Sequence, residues 1–113
     1  MWRDDAYLLD MLIASRDVVE LSEGLSRSEL EHSALHQNAL IRLLTVIGEA
    51  ANHVSDDTQA QHPEIDWGEI IAFRNRLVHG YFDIDLDKVW DAIETGVPEL
   101  ILQLEPLVPS ENP

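Results

Sequence analysis

Ten consecutive residues, Phe73-Arg74-Asn75-Arg76-Leu77-Val78-His79-Gly80-Tyr81-Phe82, gather two arginines, an asparagine, a histidine and a tyrosine between apolar neighbours. These residue types suit phosphodiester chemistry. Histidine titrates near neutrality and can take or give a proton. Arginine stays charged and offers a planar fork of donors to phosphate oxygens. Asparagine can orient a phosphate or fix a histidine tautomer. RNA brings its own nucleophile, the 2′-hydroxyl, so cleavage without a metal needs only proton movement and charge stabilisation at phosphorus. On a helix, Asn75 and His79 are one turn apart and share a face. Arg74 and His79 differ by about 140° in azimuth and about 7.5 Å along the axis. A guanidinium and an imidazole so placed can reach one phosphodiester. Spacing alone also allows blander roles: Arg74 paired with an acid, and His79 as a cation at a helix C-terminus.

Four long helical segments are expected to position this group. The first runs from about Asp4 to Glu23, with Leu8, Met11, Leu12, Val18 and Val19 at helical spacing, Ser15 completing the stripe and Gly24 as its stop. Ser26-Arg27-Ser28-Glu29 fits a capping box, for a short helix or for the start of the next long one. The second covers Ala34 to Val54 on a stripe of Leu40, Leu43, Leu44, Ile47, Ala51 and Val54. Gly48 sits mid-helix, where it costs roughly 1 kcal/mol relative to alanine, a residue suited to close approach of another helix. Ser55-Asp56-Asp57 is a cap for a short turn, and Gln61 to Glu64 a loop around Pro63. The third helix opens on Asp66 as N-cap, with Glu69 completing a reciprocal box, and Gly80 ends it. Phe82 to Leu86 reads as an extended connector. The fourth helix follows Asp85 on Leu86, Val89, Trp90, Ile93, Val97, Leu100, Ile101 and Leu104, with a kink at Pro98. The expected fold is all-α: an antiparallel bundle of four main helices with one or two short extra ones. One domain spans 1–106, and a flexible tail, rich in proline, spans 107–113.

The length of 113 residues fits one domain, and 45% hydrophobic residues suffice for its core. Cysteine is absent, which rules out disulfides and thiolate metal sites and is compatible with a reducing compartment. No apolar run approaches the ~20 residues needed to cross a bilayer. The start, Met-Trp-Arg-Asp-Asp, lacks a signal-peptide layout. A cytoplasmic chain without membrane contact is expected. The formal charge of −15, from 22 acidic and 7 basic residues, argues against bulk electrostatic binding of nucleic acid. A local basic cleft at Arg74 and Arg76 remains compatible with it. The acidity otherwise suits a solvated surface, repulsion of non-specific RNA or a basic partner.

The string Arg74-Asn75-Arg76-Leu77-Val78-His79-Gly80-Tyr81-Phe82-Asp83-Ile84-Asp85, continuing into Val89-Trp90, resembles the HepT-like branch of the HEPN superfamily, whose motif is Arg-Asn-x-x-x-His. Ile47-Gly48-Glu49-Ala50-Ala51 and His62-Pro63-Glu64-Ile65-Asp66-Trp67 resemble it too, in the family's order. The resemblance implies the toxin of a toxin–antitoxin pair, a metal-independent endoribonuclease with Arg74 and His79 as its catalytic pair and Asn75 assisting. It implies AMPylation of Tyr81 by a minimal nucleotidyltransferase antitoxin, which silences the toxin. It also implies a homodimer in which two copies of Arg74, Arg76 and His79 form a basic groove for RNA, with Arg76 as a substrate contact. No cofactor is implied.

Other readings stay open. Tyr81 also suits a packed ring with a wet hydroxyl. Glu49 suits either a partner for Arg74 or Arg76, or an exposed acid. The bundle could be a non-catalytic nucleotide- or substrate-binding subunit of a two-component nucleotidyltransferase, or an interaction protein with a decayed site. His32 and His36, one turn apart, could clip a metal but lack an evident third ligand. His53 and His62 read as surface or capping residues, and Ser15, Ser22 and Ser28 show no triad.

Overall fold

The computed structural model describes residues 2–109, without the side chains of Trp2 and Tyr81. Every regular element among them is helical. In chain order these are α1 (Trp2–Ser22), α2 (Arg27–His32), α3 (Ala34–His53), α4 (Asp56–Gln61), α5 (Trp67–His79), a 3-10 turn (Tyr81–Asp83), α6 (Leu86–Asp91), a π-helical turn (Ala92–Gly96), α7 (Val97–Leu104) and a second 3-10 turn (Glu105–Leu107). The fold is all-α, as expected. No helix among the described residues is long and apolar enough to cross a membrane.

The boundaries follow from capping chemistry. Ser26 caps α2 with a reciprocal box: its hydroxyl accepts from the Glu29 amide, and the Glu29 carboxylate accepts from the Ser26 amide, each at 3.0 Å. Ser33, Ser55 and Asp66 cap α3, α4 and α5 with their side-chain oxygens. At α5 the expected return bond is replaced: the Glu69 carboxylate accepts from Arg76 at 2.9 Å instead. Gly24 has φ of 75°, the left-handed conformation that ends α1. Gly80 ends α5 for a different reason. Its φ is −110°, but a Cβ there would lie 2.8 Å from the Arg76 carbonyl oxygen.

Two expectations need correction. The stretch after Gly80 is not extended throughout: Tyr81–Asp83 forms a 3-10 turn, closed by the Asp83 amide on the Gly80 carbonyl at 2.9 Å. The expected break at Pro98 takes the form of a widened π-turn, Ala92–Gly96, that ends two residues before the proline. Proline cannot donate to the carbonyl four residues back and its ring clashes there. The wider turn, in which the Val97 amide reaches back to Ala92, makes room for it.

The core joins α1, α3 and the α6–α7 stretch. Met11, Val18, Leu30, Leu40, Ala51, Val89 and Leu104 are fully buried. Ser15 is also fully buried, and its hydroxyl has no partner among the described residues. Val19, expected in the stripe, is exposed. Leu107 and Val108 pack partly on the core, so packing continues past residue 106. α1 packs on α3 and α7, and α3 packs on α5. No extended packing joins α5 to α7. The gap between them is a groove of about 660 Å³ with Leu44 and Ile47 among its lining residues. The motif helix α5 thus rests mainly on α3.

Candidate active site

Arg74 is set by the meeting of α3 and α5. Gly48 lies on the contact line, and a Cβ there would stand 2.2 Å from the Arg74 Cβ and 2.7 Å from its Cγ. Only glycine lets the arginine stem lie across α3. The guanidinium is then held from two sides. Its Nη2 donates to a carboxylate oxygen of Glu49, and its Nη1 donates to Asn75 Oδ1 at 2.9 Å. Its Nε is buried and has no partner among the described residues. About a quarter of the Arg74 side chain remains exposed. Of the alternatives open for Glu49, the structure selects a pairing with Arg74.

Asn75 and His79 are both exposed on α5. No described residue hydrogen-bonds the His79 ring. Asn75 spends its carbonyl oxygen on Arg74, and its amide N–H groups have no protein acceptor among the described residues. Neither the arginine nor the histidine of the motif is sealed inside the bundle. Gly80 closes the helix one residue later, so His79 stands at the C-terminal end of α5.

Arg76 points elsewhere. Two positions along a helix turn the side chain about 200°, and Arg76 lines the groove between α5 and α7 rather than the Arg74 side. It pairs with Glu69 at 2.9 Å and lies over the Phe73 ring at 5.7 Å. Within one chain, Arg74, Asn75 and Glu49 are brought together, while Arg76 is not. The large groove is lined by neither Arg74 nor His79. Tyr81 lies in the turn two residues past His79, and its side chain is outside the described residues.

His53 was expected to be a surface or capping residue. It is half exposed, but its Nε2 lies 3.3 Å from the second oxygen of Glu49, and its ring stacks on Tyr7 with centroids 5.1 Å apart. The one-turn spacing of Glu49 and His53 was the available sequence signal. The contact with Tyr7, 46 positions away on α1, had none. Among the described residues no group of three His, Asp or Glu could hold a metal ion. His36 turns instead to the Ser33 hydroxyl at 2.7 Å, and His32 to the Ser28 carbonyl at 2.8 Å. His62 lies 3.6 Å from Glu64.

An all-helical fold that displays Arg-Asn-x-x-x-His at the solvent end of a helix agrees with comparison to known proteins. The family model described as "Ribonuclease HepT-like" matches residues 11–107. The chain belongs to the HepT-like ribonuclease family. It is 32% identical to "Probable ribonuclease HepT" of Thermococcus cleftensis over 101 residues, covering 89% of this chain and 92% of that protein. It is likewise 32% identical over 100 residues to a "Putative RNase" of Methanocaldococcus jannaschii, covering 88% and 92%. A "Putative RNase" of Caldanaerobacter subterraneus is 28% identical over 106 residues, covering 94% and 95%. No solved structure gives a significant match.

Proposed function

We propose that the chain is an endoribonuclease toxin that cleaves RNA without a metal through Arg74 and His79. One observation carries this reading: the motif stands at the solvent end of α5, with Arg74 anchored against α3 and the His79 ring free of any described partner. In the step, the 2′-oxygen loses its proton and attacks phosphorus. The bond to the 5′-oxygen breaks, and that oxygen takes up a proton. The products are a 2′,3′-cyclic phosphate and a 5′-hydroxyl. His79 moves the proton. Arg74 neutralises charge growing on the phosphate oxygens with the guanidinium N–H groups its protein partners leave over. Asn75 steadies the guanidinium and has its amide left for the phosphate. Arg76, on another side of the helix, is offered as a contact for RNA beyond the scissile bond.

Regulation follows the same reading. A homodimer would supply two motifs to one cleft and concentrate cations in a strongly acidic protein. A nucleotidyltransferase antitoxin would transfer AMP to the Tyr81 hydroxyl and place bulk and negative charge two residues from His79. Cytoplasmic RNA is the expected substrate.

The deciding measurement is cleavage of single-stranded RNA by purified chain in excess EDTA, native against His79→Ala, with circular dichroism to show that both fold. Cleavage by native protein that disappears in the variant supports the reading. Equal cleavage by both sinks it.

A further inference from the structure

We propose that His53 is a positioning residue for Arg74, acting through Glu49 and braced by Tyr7. The proposal rests on the ribonuclease reading of Arg74. Side chains from three helices form one chain of contacts. Tyr7 on α1 is partly buried and packs against the core, so it is the fixed end. The His53 ring of α3 lies almost parallel to it, with 21° between the planes and centroids 5.1 Å apart. From that platform His53 Nε2 meets Glu49 Oε1 at 3.3 Å. The other oxygen, Glu49 Oε2, accepts from Arg74 Nη2. Asn75 accepts from Nη1 at 2.9 Å.

The division of labour at Glu49 is the telling feature. A carboxylate half exposed on a helix can spin about its terminal torsion, which is broad and roughly two-fold. Left with a single arginine partner, it would hold Nη2 but leave the guanidinium's plane to Asn75 Oδ1, one acceptor on an exposed residue. An imidazole N–H on the opposite oxygen removes that freedom. Imidazole donates from this nitrogen in the protonated form and in one neutral tautomer, so the brace does not require a charge. Its contribution to stability is small, because both partners are about half exposed. Its contribution to orientation is larger. The Arg74 stem is already fixed in the Gly48 notch, and the carboxylate plane sets where the remaining N–H groups point. A phosphate gripped by a planar fork is sensitive to that direction.

His53→Phe keeps the ring against Tyr7 and removes the donor, whereas His53→Gln restores a donor without the ring. His53→Phe should retain native melting behaviour and lose about tenfold in kcat/KM on RNA, inside the hundredfold that an ångström of misplacement can cost. His53→Gln should recover part of it. Combined with Glu49→Gln, His53→Phe should add little, because both act through one carboxylate. A second readout does not use activity. In ¹⁵N NMR, the Arg74 Nη signals should be distinct in native protein and merge in His53→Phe as guanidinium rotation is released. Loss of kcat/KM together with merged signals supports the proposal. Native kcat/KM, unchanged signals or fully additive losses in a folded variant overturn it. If native protein shows no His79-dependent cleavage, the ribonuclease reading falls instead, and the Arg74 signals alone judge the brace.

Discussion

Asp4 and Glu49 both reach from one helix to another, but their surroundings are opposite. Asp4 is 5% exposed and, among the described residues, accepts hydrogen bonds from neutral donors: the Ser55 amide at 3.0 Å and the Ser55 and Thr58 hydroxyls at 2.6 Å each. Glu49 is about half exposed and binds an arginine and a histidine. The first arrangement fixes α1 to the start of α4 and uses its polar groups internally. The second leaves guanidinium N–H groups and the Asn75 amide available, on the helix whose end carries the exposed His79. Burial with short neutral hydrogen bonds ties two helices together, while half-exposed charged pairing holds, on the proposed reading, a reagent ready.

The largest effect expected from this contrast is on the Glu49 side. His79→Ala should lower RNA cleavage by about a hundredfold or more and leave thermal stability nearly unchanged. Gly48→Ala comes next. The added methyl meets the Arg74 stem, and overpacking of this kind costs about 1–3 kcal/mol. Calorimetry should show a lower Tm, and cleavage should fall with it because the guanidinium is displaced.

Asp4→Asn tests the other side and should invert the pattern. Hydrogen bonds to a charged group contribute about 1.5–3 kcal/mol, so stability falls while the folded variant still cleaves RNA. Hydrogen bonds from the Ser55 hydroxyl, then the Thr58 hydroxyl, then the Ser55 amide lower the Asp4 pKa from 3.8 to about 2, against the opposing effect of burial. A depressed carboxylate pKa stabilises the fold above the unfolded value, near pH 4. That stability is lost as pH falls toward 2. Denaturant titrations from pH 5 to 2 should show a steeper loss for native protein than for Asp4→Asn. Equal slopes would break the contrast.

Arg76→Ala should have the smallest effect. Its pair with Glu69 is exposed on both sides, so stability should change by less than about 0.5 kcal/mol. Cleavage should change only a few-fold. A loss as large as that of His79→Ala would show that the two sides of α5 act as one site.

Much of this was legible in the sequence because it is local. The boxes and caps at Ser26, Ser55 and Asp66 involve residues three apart, and Gly48 in an apolar stripe announced a close crossing. What was missed joins distant positions or depends on which of two local solutions wins. Nothing in the sequence ties Asp4 to Ser55 and Thr58, or Tyr7 to His53, because each contact exists only once the helices have docked. Glu69 had two compatible partners, and the longer-range pairing with Arg76 displaced the capping bond. Arg76 looked like a companion to Arg74 by proximity along the chain, yet helix geometry sends the two to different surroundings.

The π-turn at Ala92–Gly96 carries a consequence for how this chain can change length. A regular helix from Val89 to Val97 would rotate the second valine about 80° away from the first. Yet both, and Leu104 beyond them, are buried. The extra residue is absorbed within the wide turn, so the halves on either side keep the same facing. Removing one codon there would leave an ordinary helix with its apolar edge still aligned, but would set Pro98 against an intact preceding turn. The surplus residue and the proline are therefore a matched pair that must be gained or lost together.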